Sequence, residues 1–213
     1  MRKLTLILGI SILYVATTLA QKVSGVVYFV DEPVKNAKVV NTDNGQKVVT
    51  DENGYFAIDA ELDANLSVKF KRTSLLATLN GLDAYVDLVL IPSEKSFYKL
   101  IKTHPSAKKC ELFVANNPNS KYVSEVSSIL EEQVFISAYD NAVANYSLNG
   151  LENYLASYPD GKYAAKANKT IDIVSWQKAK SQDTMEAYNG YLEKFPNGEA
   201  VSLAKNKVAM LTE

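Results

Sequence analysis

The sequence predicts an all-β sandwich of about seven strands followed by an all-α array of helical repeats, and three observations predict it. Between Val23 and Ile91, short β-branched and aromatic stretches alternate with Asp, Asn and Gly turns, the pattern of strands rather than helices. After Pro92, glycine and β-branched residues thin out while alanine, lysine and leucine rise, which favours helix. Within that second part, one ten-residue pattern built around a proline occurs three times. The chain therefore divides into an expected signal peptide over residues 1–20, a sandwich over 21–92 and helical repeats over 93–213.

Arg2 and Lys3 stand before an apolar run from Leu4 to Val15, and Thr18 and Ala20 supply the short side chains that a signal peptidase requires. Cleavage after Ala20 is the expectation. The run is shorter than the roughly 20 apolar residues of a spanning helix, and no second run like it follows, so no transmembrane segment is expected after cleavage. The mature chain is expected to be exported and to reside in the periplasm, at the outer membrane or outside the cell. Removing Arg2 and Lys3 lowers the 23 basic residues to 21 against 24 acidic ones, a mature net charge of −3. That balance offers no basic footprint for nucleic acid or for an anionic membrane.

The expected strands are 23–30, 37–41, 47–50, 55–60, 66–71, 75–80 and 85–91. Asp43-Asn44-Gly45 and Asp51-Glu52-Asn53-Gly54 tolerate positive φ and close tight reversals between them. Side chains alternate across a strand, so Phe56 and Ile58, then Leu66, Val68 and Phe70, then Val86, Leu88 and Leu90 each share a face and are expected to form the core. Neither Asp-rich loop has the alternate oxygens and closing Glu of a calcium loop.

Three stretches carry a family resemblance: Val23-Ser24-Gly25-Val26-Val27, then Glu32-Pro33-Val34 with Asn36-Ala37-Lys38-Val39, and Thr50-Asp51-Glu52-Asn53-Gly54-Tyr55-Phe56. They resemble the carboxypeptidase regulatory-like domain of the transthyretin-like sandwich group. The family's Gly-Tyr pair after its fifth strand is replaced here by Lys71-Arg72-Thr73-Ser74. The resemblance implies a non-catalytic accessory module of an exported protein, as in outer-membrane receptors of the Bacteroidota.

The recurring pattern of the second part runs over 113–122, 154–163 and 191–200, with Pro118, Pro159 and Pro196 set 41 and 37 residues apart. That interval accommodates two helices and two turns. Ser106, Ser147 and Thr184 each stand twelve residues before a proline, where a hydroxyl can cap a starting helix. Phe113, Tyr154 and Tyr191 lie with Cys110, Leu151 and Tyr188 on an i, i+3 apolar stripe. Proline ends that helix. Twenty residues before each proline stand Tyr98, Tyr139 and Trp176, an aromatic position expected to act as a packing wedge. A long helix is expected from Ser120 to about Ala144, with Glu131 and Glu132 on its solvated face.

The run Trp176-Gln177-Lys178-Ala179, Asp183-Thr184, Tyr188, Tyr191-Leu192 and Phe195-Pro196-Asn197-Gly198 is similar to tetratricopeptide-like repeats of bacterial envelope proteins. That likeness extends over 93–213. In the first copy Asn117 stands where the aromatic before proline is usual. The resemblance implies binding of a protein or peptide along the array.

Residues for catalysis are scarce. His104 is the single histidine and falls in an expected turn beside Pro105; Cys110 is the single cysteine and falls on an apolar helix face, so it excludes an intrachain disulfide. No zinc, phosphate-loop or nucleophile-elbow pattern occurs, and no cofactor, metal site or catalytic residue is expected. The function expected is a non-catalytic adaptor or scaffold of the cell envelope that binds a protein partner through its helices. Two alternatives are a carbohydrate- or peptidoglycan-binding accessory role for the sandwich and a hydrolase using unrecognised carboxylates.

Overall fold

The computed structural model describes residues 21–61, 63–80 and 84–212. The expected signal peptide lies outside them. The chain separates into two compact units, Met1–Pro92 and Ser93–Glu213. Among the described residues, no helix is long and apolar enough to cross a membrane.

Among its described residues the first unit holds eight strands: β1 (Gln21–Phe29), β2 (Glu32–Pro33), β3 (Lys38–Asn41), β4 (Lys47–Val49), β5 (Tyr55–Ala60), β6 (Asn65–Phe70), β7 (Thr73–Thr78) and β8 (Leu88–Leu90). β1 is the hub of one sheet, pairing antiparallel with β5 and β2 and parallel with β8. The second sheet runs β4-β3-β6-β7 and is antiparallel throughout. Inward positions of both sheets meet in one core: Val23 and Val27 of β1, Phe56 and Ile58 of β5, Leu66 and Val68 of β6, and Leu88 and Leu90 of β8. Each such side chain contributes about 1.5–3 kcal/mol by leaving water. Phe70 and Val86, expected in the core, pack against its margin and are only partly buried.

The strand additional to the seven expected is β2, and its two-residue length is why it escapes a reading by alternation. Proline cannot donate to a ladder and reads as a turn. β7 begins two residues earlier than expected, because Lys71 takes φ 51 and closes a tight reversal directly after Phe70. The last strand is shorter than expected, with Tyr85 contributing only an isolated bridge to Ser24.

The turn before β5 shows what its polar residues do. Thr50 is buried; its hydroxyl accepts from the Ala37 amide at 2.9 Å and donates to the Val34 carbonyl at 2.5 Å. Asp51 Oδ1 accepts from the amides of Asn53 and Tyr55, both at 2.9 Å, and Gly54 reverses the chain at φ 74.

Among its described residues the second unit contains seven helices: α1 (Glu94–Thr103), α2 (Ala107–Asn116), α3 (Val123–Asn145), α4 (Asn149–Ser157), α5 (Ala164–Gln182), α6 (Met185–Lys194) and α7 (Val201–Met210). Sequential helices pack on one another, and α3 also packs on α5. Phe113, Leu151, Tyr154, Tyr188 and Tyr191 are all buried.

Candidate functional site

The three prolines sit in three turns of one geometry. The residue before each, Asn117, Tyr158 or Phe195, leaves the helix at φ −136, −133 or −128 and ψ 54, 65 or 67. Steric pressure from the proline ring on its predecessor disfavours the helical region there. The amide of that residue still donates to the carbonyl four residues back, Phe113, Tyr154 or Tyr191, at 2.8–2.9 Å.

A hydroxyl closes each turn by accepting from the amide four residues after the proline and donating to a carboxylate on a preceding helix. At Pro159, Tyr154 Oη accepts from the Tyr163 amide at 3.1 Å and donates to Glu131 at 2.7 Å. At Pro196, Tyr191 Oη accepts from the Ala200 amide at 3.1 Å and donates to Asp172 at 2.6 Å; the other Asp172 oxygen accepts from the Glu199 amide at 3.0 Å. At Pro118 the ring is Phe113 and has no hydroxyl. There Ser120 Oγ accepts from the Tyr122 amide at 3.1 Å and donates to Glu94 at 2.7 Å.

Space decides which residue supplies the oxygen. A Cβ on Gly161 would lie 2.7 Å from Tyr154 Oη and 2.5 Å from Glu131 Oε1, and one on Gly198 would lie 2.5 Å from Tyr191 Oη. Only glycine fits beside the phenol. Phenylalanine leaves that volume open, and Ser120 fills it with its own hydroxyl. Burial, and then the carboxylate partner, pushes the Tyr154 and Tyr191 hydroxyls up to about 12.

Ser106 accepts from the Lys109 amide at 3.1 Å, and Thr184 from the Ala187 amide at 3.2 Å, as N-caps do. Ser147 departs from this expectation. Its helix α4 starts one residue later, with Leu148 at the N-cap, and no side chain makes a cap bond. The Glu152 amide donates to the Leu148 carbonyl in the first main-chain bond of α4, which leaves Ser147 one residue outside the N-cap position.

The aromatic position twenty residues before each proline is half-buried in all three copies, each time with different surroundings. Tyr98 stacks on Tyr122 with centroids 4.0 Å apart and donates to Glu125 at 2.6 Å, which also accepts from Lys102 at 2.6 Å. Those two donors hold the Glu125 carboxyl below the usual range. Tyr139 has the Lys166 ammonium 5.0 Å from its ring centroid. Trp176 packs against Tyr188 and Tyr191 at 5.7 and 5.6 Å.

Cys110 is fully buried, and desolvation pushes its thiol up to about 11. His104 is exposed at the end of α1 and contacts the neighbouring Thr103 hydroxyl through Nδ1. Glu131, read as a solvated acid, is instead the acceptor of a buried phenol. Asp172 and Glu94 went unmarked, although both stand twenty-four residues before a proline; Glu131 stands twenty-eight before its own, one helical turn away. The chain matches no family model, and no curated protein is significantly similar to it.

Proposed function

We propose that this chain is a non-catalytic adaptor or scaffold of the cell envelope that holds a protein partner with its helical unit. In this reading the first unit is a carboxypeptidase regulatory-like sandwich, the second a short tetratricopeptide-like array, and residues 1–20 direct export. The observation that carries it is the recurrence of one hydroxyl-centred turn at Pro118, Pro159 and Pro196, which fixes the angle between successive helices at three points. The hydroxyls of Tyr154 and Tyr191, pushed up to about 12, spend their hydrogen bonds on these turns, while Glu125 and Asp183, held below the usual carboxylate range, accept from side chains of other helices. A frame stiffened this way presents helix surfaces in fixed relation, which suits binding.

Affinity capture with cross-linking from native envelope should return one specific partner with the full chain and none with a chain lacking residues 93–213. Equal recovery by the shortened chain would reject binding by the helices.

A further inference from the structure

Beside Trp176, the helices α5 and α7 enclose a groove of ≈ 350 Å³ lined by Trp176, Lys180, Leu203, Asn206, Lys207 and Met210. Its apolar character is a local departure from the pattern of the other copies. Seven residues after the first two prolines stand Glu125 and Lys166, charged residues that cover Tyr98 and Tyr139. Seven residues after the third stands Leu203, 56% exposed, with Met210 beyond it at 70%. The frame tolerates charge at this position twice, so folding does not explain a leucine there; large exposed apolar groups in one place mark a contact surface.

The charges of the groove are one-sided. Two lysines line it and no carboxylate does. Lys207 lies 3.2 Å from Asp183 and 6.0 Å from the Tyr188 centroid, whereas Lys180 has no ion pair among the described residues. The volume falls near the low end of binding sites, roughly 300–1,000 Å³, enough for one large side chain and its flanking backbone. Building on the scaffold reading above, we propose that this groove receives a peptide segment of the partner in which one aromatic or large aliphatic side chain is flanked by carboxylates. The apolar side chain packs between Trp176, Leu203 and Met210, and its acidic neighbours meet Lys180 and Lys207.

Trp176 is the single tryptophan of the chain, so its emission reads the groove directly. The test titrates the full chain with the blocked peptide Gly-Glu-Phe-Glu-Gly, and separately with Gly-Lys-Phe-Lys-Gly and Gly-Glu-Ser-Glu-Gly. The expected result is a saturable change with the first peptide and affinities weaker by about tenfold or more with the other two. Lys180→Glu should reverse the charge preference. The pair Leu203→Ser and Met210→Ser, both exposed and checked for folding by circular dichroism, should abolish the response. No saturable change, equal affinity for the acidic and basic peptides, or unaltered binding by the serine pair would overturn the proposal. So would emission that changes with protein concentration alone while the mass doubles, since a second copy would then be the occupant. Partner capture that survives the serine pair but needs residues 93–213 would remove the groove and leave the scaffold role standing.

Discussion

The turns at Pro118 and Pro196 satisfy the same backbone amide with hydroxyls drawn from opposite sides of the proline. At Pro196 the oxygen comes from a buried ring five residues before it, Tyr191; at Pro118 it comes from Ser120, two residues after. The acceptors, Asp172 and Glu94, hold one register. What is kept between the two is the node of amide, hydroxyl and carboxylate, and what varies is the residue that delivers it. Tyrosine with glycine and phenylalanine with serine are therefore coupled choices, and each is incompatible with half of the other.

Substitutions that remove or rebuild members of the node should separate the two turns. Tyr191→Ala removes both a buried ring and the node, and should lower the unfolding free energy by about 3–5 kcal/mol in urea denaturation. Gly198→Ala keeps the phenol but drives a methyl into it, at an expected cost of about 1–3 kcal/mol, while Ser120→Ala at the first turn should cost less because no phenol stands there. Tyr191→Phe leaves the Ala200 amide without its partner and should cost about 1–1.5 kcal/mol. Adding Gly198→Ser to it should recover part of that loss, since the pair rebuilds the first turn in the third; strict additivity of the two would show that the turns are not interchangeable.

The same phenols set an alkaline limit. Their values are raised in the folded state, so their stabilisation is complete below the ordinary tyrosine value near 10 and is lost as pH climbs through about 12. Replacing Tyr154 and Tyr191 with Phe should flatten the stability profile over that interval. The smallest contrast concerns the caps: Thr184→Ala should cost about 1 kcal/mol and Ser147→Ala less than about 0.5, because only the former loses a bond.

The order of strands then helices was legible because two-residue alternation and the three-to-four-residue apolar stripe differ in period, and the change falls sharply after Pro92. The prolines and the buried Phe113, Tyr154 and Tyr191 were legible because each copy repeats them at the same offset. Ser106 and Thr184 were readable for the same reason. Ser147 shares their offset, yet the chain enters α4 one residue later, a difference that depends on backbone geometry rather than residue type. Glu131, Asp172 and Glu94 stayed hidden because each sits on an earlier helix, and one of the three is displaced by a full turn. A carboxylate on a helix surface reads as solvated until the fold brings a buried hydroxyl to it. Two-residue β2 carries too little pattern to be read at all.

Cys110 gives the helical unit a built-in clock. Its sulfur has no exposed surface, and its thiol is pushed up to about 11, so almost none of the reactive thiolate exists at neutral pH in the closed state. Alkylation must wait for the region around α2 to swing open. The labelling rate under excess reagent therefore counts those openings, reporting how often the first helices part while the rest of the chain stays folded.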